Sequence, residues 1–209
     1  MKDPGYGYTL VKTLEQLFHT TFHSKQSFSD FLELDTWSEC SVLKGLDREI
    51  IQPSEKLKSF HRFLNSFVFS YSDICEDVVF SYRKGKNILN AVTPHTESRY
   101  FLQTDLKDFF QSLNSEDVAC ILNRKIKSCP VSDIKTYIPR IIDLTTLENR
   151  LPVGFSTSPP ISNSCLFEFD KQLSIFSLSR DIIYTRYSDD LILSSNRKEY
   201  LVSRRQWLT

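Results

Sequence analysis

The residues best placed to do chemistry are two adjacent carboxylates, Asp189 and Asp190, set in Asp181-Ile-Ile-Tyr-Thr-Arg-Tyr-Ser-Asp-Asp-Leu-Ile-Leu-Ser-Ser195. The apolar runs on either side predict two strands, 181–187 and 191–194, joined by a tight hairpin turn. Adjacent like charges repel and Asp is a poor strand former, so something must offset them. A hard divalent cation does so directly, because it takes carboxylate oxygens. Taken alone, the turn reads equally well as a solvated hairpin tip. Asp105 adds a third carboxylate. It ends the apolar run Tyr100-Phe-Leu-Gln-Thr-Asp-Leu106, which predicts a strand mostly buried on both faces; a helix N-cap is its competing role. One carboxylate at the end of a central strand and two on a later hairpin make the donor set of a two-cation site. Such a site clamps ions roughly 3.5–4 Å apart from rigid elements. A third block is Leu151-Pro-Val-Gly-Phe-Ser-Thr-Ser-Pro-Pro-Ile-Ser-Asn163. Its glycine permits close backbone approach to a ligand and its hydroxyls supply contacts. A plain loop-to-helix junction with a Ser or Thr cap fits the same residues.

These groups need a scaffold. Leu10, Val11, Leu14, Leu17, Phe18 and Phe22 recur at helical spacing and predict a helix over 8–23. Ser27 and Ser29 predict caps for a short second helix. Residues 40–51 predict a strand, a turn at Lys44-Gly45 and a returning strand from Arg48. Pro53-Ser54 opens a helix with Leu57, Phe60, Leu64, Phe67 and Val68 inward. Further helices are predicted over 72–82, 106–112, from the Asn114–Asp117 cap onward, over 134–148 with a break or kink at Pro139, and over 160–178.

Lys plus Arg and Asp plus Glu each number 26, so the net charge is zero. That balance does not favour a nucleic-acid partner unless charge is segregated. Acids do recur at 30–39, and bases cluster at 56–62, 83–86 and 124–127, so a basic cleft can hide in a balanced total. The 16 Phe and 9 Tyr could pack a core or stack on bases. Five cysteines without a CxxC pair read as reduced thiols, not a disulfide framework or zinc site. The N-terminus lacks the apolar run of a signal peptide, and no stretch reaches membrane-spanning length. The expectation is a cytoplasmic protein with no membrane partner.

Three blocks in order resemble reverse transcriptases, especially the bacterial retron and group II intron type. Thr104-Asp-Leu-Lys-Asp-Phe-Phe110 is similar to the first palm motif, Leu151-Pro-Val-Gly-Phe-Ser-Thr-Ser-Pro159 to the second, and Tyr187-Ser-Asp-Asp190 to the YxDD signature. Upstream, Asn90-Ala91 with His95 resembles an NAxxH element with one extra residue. Arg48-Glu-Ile-Ile-Gln-Pro-Ser-Glu-Lys-Leu-Lys58 resembles a fingers segment, so the likeness covers about residues 44–195. The resemblance implies an α+β right-hand polymerase core with helical fingers and an antiparallel-sheet palm. It implies fingers at 1–98 and a palm at 99–209 with a fingers insertion around 115–150. It implies RNA-directed DNA synthesis: phosphoryl transfer from dNTPs to a primer hydroxyl, assisted by two Mg²⁺ ions, with Mn²⁺ as a substitute. Carried over by position, Asp105, Asp189 and Asp190 would be catalytic metal ligands, joined by the Leu106 carbonyl. Arg48, Lys44, Phe110 and Gly154 would meet the nucleotide, Phe110 as the aromatic gate against a ribose 2′-hydroxyl. Tyr187, Arg83, Lys84 and Lys86 would meet primer and template; a solvated surface role competes for each basic residue. The implied partners are an RNA template, its DNA product and dNTPs, with a non-coding RNA and an effector protein in a retron or antiviral defence setting.

The chain departs from that pattern at Val153, where Gln is usual, and at Ser188, where Ala is commoner. It ends at Thr209 without the lysine-bearing palm motif, the primer-grip hairpin or the thumb, and the tail from Arg197 does not read as a finished domain. The expectation is a truncated product or an enzyme completed by a second chain. Two other readings stand beside templated synthesis: untemplated or protein-primed nucleotide addition, and a non-enzymatic scaffold for RNA or proteins.

Overall fold

The computed structural model describes residues 11–44, 49–125 and 129–202. In chain order these form α1 (Leu14–Phe22), α2 (Phe28–Glu33), β1 (Cys40–Lys44), β2 (Glu49–Pro53), α3 (Glu55–Phe67), α4 (Ile88–Val92), β3 (Tyr100–Asp105) and α5 (Phe109–Ser112). Then follow α6 (Ser115–Lys125), α7 (Ile134–Thr145), α8 (Ser158–Cys165), α9 (Phe167–Leu178), β4 (Ile183–Tyr187), β5 (Asp190–Ser195) and α10 (Lys198–Val202). The fold mixes helices with antiparallel sheet. Among the described residues, no helix is long and apolar enough to cross a membrane.

The chain divides into two compact units, Met1–Ser72 with Asn114–Ser158, and Asp73–Leu113 with Pro159–Thr209. The first is built on aromatic packing. Phe18 of α1 meets Phe22, Phe28, Phe31, Phe60 and Phe63 at ring-centroid separations of 4.5–5.8 Å. Its helices start where local chemistry says they should. Ser54 accepts from Leu57 N at α3, Ser27 accepts from Ser29 N at α2, and Asn114 accepts from Glu116 N and Asp117 N at α6. α1 begins at Leu14, later than periodicity predicts, because Thr13 and Gln16 close a capping box there and Lys12 instead pairs in parallel with Val131. α7 runs through Pro139 without ending. β1 and β2 form an antiparallel ribbon, Cys40 opposite Pro53 and Lys44 opposite Glu49. The start of the predicted 8–23 helix, the Gly45 turn, Arg48 and the end of the tail lie outside the described residues.

The second unit holds a three-stranded sheet ordered β3-β5-β4, antiparallel throughout. Alternation divides the faces. Tyr184, Leu191 and Leu193 point to an apolar cluster with Val78, Val79 and Ile182, covered by Phe169, Leu173 and Phe176 of α9. On the opposite face, buried His95 bonds Ser194 Oγ at 2.6 Å and Thr185 Oγ1 at 2.8 Å. Three expectations change here. No helix covers 72–82. A turn at 76–78 leads instead to a parallel bridge of Val79 with Arg186, with Arg186 N donating to the Val78 carbonyl and Phe80 N to the Arg186 carbonyl, a long-range pairing that overrides local propensity. β3 is not buried on both faces: it is an edge strand, and Tyr100, Phe101 and Leu102 are exposed. The helix predicted over 160–178 is two, broken at Leu166.

Candidate active site

All three carboxylates singled out from the sequence lie in the second unit, at one end of its sheet. β3 pairs with β5 so that Asp105 stands directly opposite Asp190, and β4 pairs with β5 so that Tyr187 faces Asp190 from the other side. One row therefore crosses the sheet as Asp105, Asp190, Tyr187. Asp189 joins it through the backbone, its carbonyl accepting from Leu106 N at 3.0 Å. Asp105 is exposed and Asp189 and Asp190 are half-buried. Gln103 Nε2 donates to Asp190 Oδ1 at 3.4 Å. Among the described residues, none of the three carboxylates forms an ion pair.

Like charges directly opposite on a sheet destabilise it. An all-oxygen donor set with no cationic partner among the described residues suits a hard divalent ion, which would offset that repulsion. Among the described residues, no three His, Cys, Asp or Glu side chains are already gathered into a cage. The fit therefore rests on donor chemistry and strand register.

The turn itself is held from below by groups that periodicity did not single out. Ser188, its first residue, has φ +63, a conformation where glycine would be usual. Arg186, wholly buried on the apolar face of β4, donates through one nitrogen to the Ser188 carbonyl at 2.8 Å and to Asn163 Oδ1 at 3.1 Å. Its other nitrogens grip Asp170 of α9 as a fork, at 2.8 and 2.7 Å, and that carboxylate is also wholly buried. Tyr184 completes the set by donating to Asp170 Oδ1 at 2.7 Å. Burial, then the Asp170 charge, pushes the Tyr184 hydroxyl far above its ordinary pKa, so it stays a donor. Asn163 Nδ2 donates to the Ser81 carbonyl at 3.0 Å, tying the segment beside β4 to the same network. The sequence signal was slight: Arg186 interrupts the run Ile182-Ile-Tyr-Thr-Arg-Tyr187, whereas Asp170 sits beside Lys171 in Phe167-Glu-Phe-Asp-Lys-Gln172, where a charge is unremarkable.

The other candidates divide between the two units. Phe110 is half-buried in the second unit on the one-turn helix α5, its ring 5.3 Å from Phe109. Arg83 is committed internally, to the Glu76 carboxylate at 2.9 Å and to the carbonyls of Glu76 and Val79. Lys84 is exposed, and Lys86 sits 5.7 Å from the centroid of the Phe80 ring. In the first unit, Lys44 is exposed at the end of β1. Gly154 has φ +118, and a side chain there would run into the Ile51 carbonyl. The close approach its glycine permits is thus to β2, and Ile51 N donates to the Val153 carbonyl at 2.8 Å, so the 151–158 loop adds to the ribbon. Arg48 lies outside the described residues.

The family described as Reverse transcriptase (RNA-dependent DNA polymerase) matches residues 44–207. The chain is 32% identical over 163 residues to the Retron Ec86 reverse transcriptase of Escherichia coli, covering 77% of this chain and 48% of that protein. It is 33% identical over 164 residues to the Retron Ec73 reverse transcriptase of Escherichia coli, covering 74% and 51%. With the Retron Mx162 reverse transcriptase of Myxococcus xanthus it shares 29% over 173 residues, covering 77% and 36%. The chain spans about half the length of the Escherichia coli relatives it matches.

Proposed function

Because the chain belongs to the reverse transcriptase family, we propose that it carries the nucleotidyl-transfer centre of a retron-type RNA-directed DNA polymerase. The observation that carries this reading is the register of Asp105 opposite Asp190, with the Asp189 carbonyl bonded to Leu106 N. We read the second unit as the palm and the first as the fingers of a right-hand polymerase.

In the reaction a primer 3′-oxygen attacks the α-phosphorus of a dNTP, the new P–O bond forms, and pyrophosphate departs. Two bound Mg²⁺ ions, or Mn²⁺ in their place, would supply activation of the hydroxyl and neutralisation of the phosphates. Asp105, Asp189 and Asp190, with the Leu106 carbonyl, would hold them. Arg186 and Asp170 keep the turn in its strained conformation before substrate arrives, so no reorganisation falls on the chemical step. Tyr187, in the same row as Asp105 and Asp190, would steady the primer end, and Phe110 would exclude a ribose 2′-hydroxyl. Lys44, Arg48 and Gly154 would serve the nucleotide, and Lys84, Lys86 and Arg83 the template strand. Arg83 would do so only by leaving its bonds to Glu76 and Val79. The template would be RNA and the product DNA; a non-coding RNA and an effector protein fit the retron setting.

Asp189→Asn tests the reading. It is nearly isosteric at a half-buried turn, so the thermal melt should be unchanged within a few degrees while Mg²⁺-dependent primer extension on an RNA template is lost. Extension at the wild-type rate by this variant would overturn the assignment.

A further inference from the structure

We propose that Tyr82 is a specificity-determining positioning residue that braces Phe110 and the Ser188–Asp189 turn together, and so sets how strictly deoxynucleotides are selected. The proposal rests on the polymerase reading above and goes beyond the residues which that reading assigns.

Tyr82 is conformationally expensive. Its φ is +54, and a bulky residue in the left-handed region is an outlier that costs about 1–3 kcal/mol. Glycine would satisfy the backbone without that cost, so a tyrosine here implies that its side chain is needed. The strain is maintained from both sides. Ser81 is wholly buried and its carbonyl accepts from Asn163 Nδ2, while Arg83 reaches back to the carbonyls of Glu76 and Val79. Between these anchors the Tyr82 side chain is directed outward and remains 49% exposed, so burial of its ring is not what fixes it.

Its hydroxyl and its ring each meet a group at the proposed centre. The Tyr82 hydroxyl is 2.8 Å from Ser188 Oγ. Its ring stands edge-on to Phe110, with centroids 6.4 Å apart at 66°. Beside its chain neighbour Phe109 at 5.3 Å, Tyr82 is a second ring against Phe110. α5 is a single turn, closed by Ser112 N to the Asp108 carbonyl at 2.8 Å, and it starts from an Asp108 that is itself at φ +52. One turn of helix does not hold an aromatic ring firmly. Asn163 accepts from Arg186 and donates to Ser81, so the buried network under the metal-ligand turn also fixes the backbone from which Tyr82 projects.

The test compares incorporation of a deoxynucleotide and the matching ribonucleotide, as the ratio of kcat/KM values, by the whole chain on an RNA template. Wild type, Phe110→Ala, Tyr82→Phe and Tyr82→Gly are assayed, and thermal melts are recorded for each. Tyr82→Gly suits the backbone, so its melt should not fall. Loss of the ring should relax discrimination by about three- to tenfold, the scale of one edge-on aromatic contact. Tyr82→Phe keeps the ring and should hold the wild-type ratio within about twofold, with a lower kcat from the lost bond to Ser188. Wild-type discrimination in Tyr82→Gly, alongside relaxed discrimination in Phe110→Ala, overturns the role of Tyr82 and leaves the polymerase reading intact. A wild-type chain that incorporates no deoxynucleotide, or a Phe110→Ala variant that discriminates normally, overturns the reading on which the proposal rests, and the proposal with it.

Discussion

His61 is wholly buried on α3, with Nε2 2.7 Å from the Leu144 carbonyl and the Phe155 ring 4.5 Å away. A carbonyl only accepts, so Nε2 carries the proton, and Nδ1 has no partner among the described residues. Burial pulls its pKa down to about 4, against a weaker opposite pull from the Leu144 carbonyl. The unfolded chain titrates near 6.5. Between those values the unfolded state binds more protons, so stability is full above about 6.5 and is lost as the pH falls towards 4. The span corresponds to about 3 kcal/mol. His61→Gln, which keeps a donor for Leu144, should flatten the pH dependence of urea unfolding over that window. An unchanged slope would show that another group sets it. At this scale the sequence was partly legible. Asp105, Asp189 and Asp190 stood out because carboxylates in apolar strands need a reason. His61 and Arg186 did not, because one polar residue in a periodic pattern does not announce which face it occupies.

Among elements, those governed by local chemistry were readable: the Ser54, Ser27 and Asn114 caps, the β1–β2 ribbon and the hairpin bearing Asp189. Those decided by distant partners were not. Residues 78–80 are not helical because they pair with Arg186, and β3 is exposed because β5 takes the centre of the sheet. The bond between α9 and β4 through Asp170 and Arg186 is another such long-range decision. Buried ion pairs add little net stability, yet removing one partner leaves an uncompensated charge. Asp170→Ala should therefore cost about 3–5 kcal/mol in urea unfolding. A triple change, Asp170→Leu with Arg186→Met and Tyr184→Phe, should recover a large part of that loss while lowering the rate of primer extension. Equal destabilisation by the single and triple changes would mean that the charge is not what matters.

At the scale of the whole chain, a net charge of zero said little about partners, since composition does not carry position. Order along the chain said more: the motifs at 105 and 189–190 meet in one sheet because antiparallel pairing ignores sequence distance. The two compact units are built from segments far apart in sequence, 73–113 joining 159–209 through strand pairing, and that joining was less legible. The placement of β3 at the sheet edge also has a colloidal side. Its outer backbone groups, flanked by Tyr100, Phe101 and Leu102 at 39%, 58% and 37% exposure, present an apolar template on which strands of other molecules can add. Purified chain should scatter more light as its concentration rises, and Phe101→Lys, which sets a charge on that edge, should suppress the rise without lowering the melting temperature.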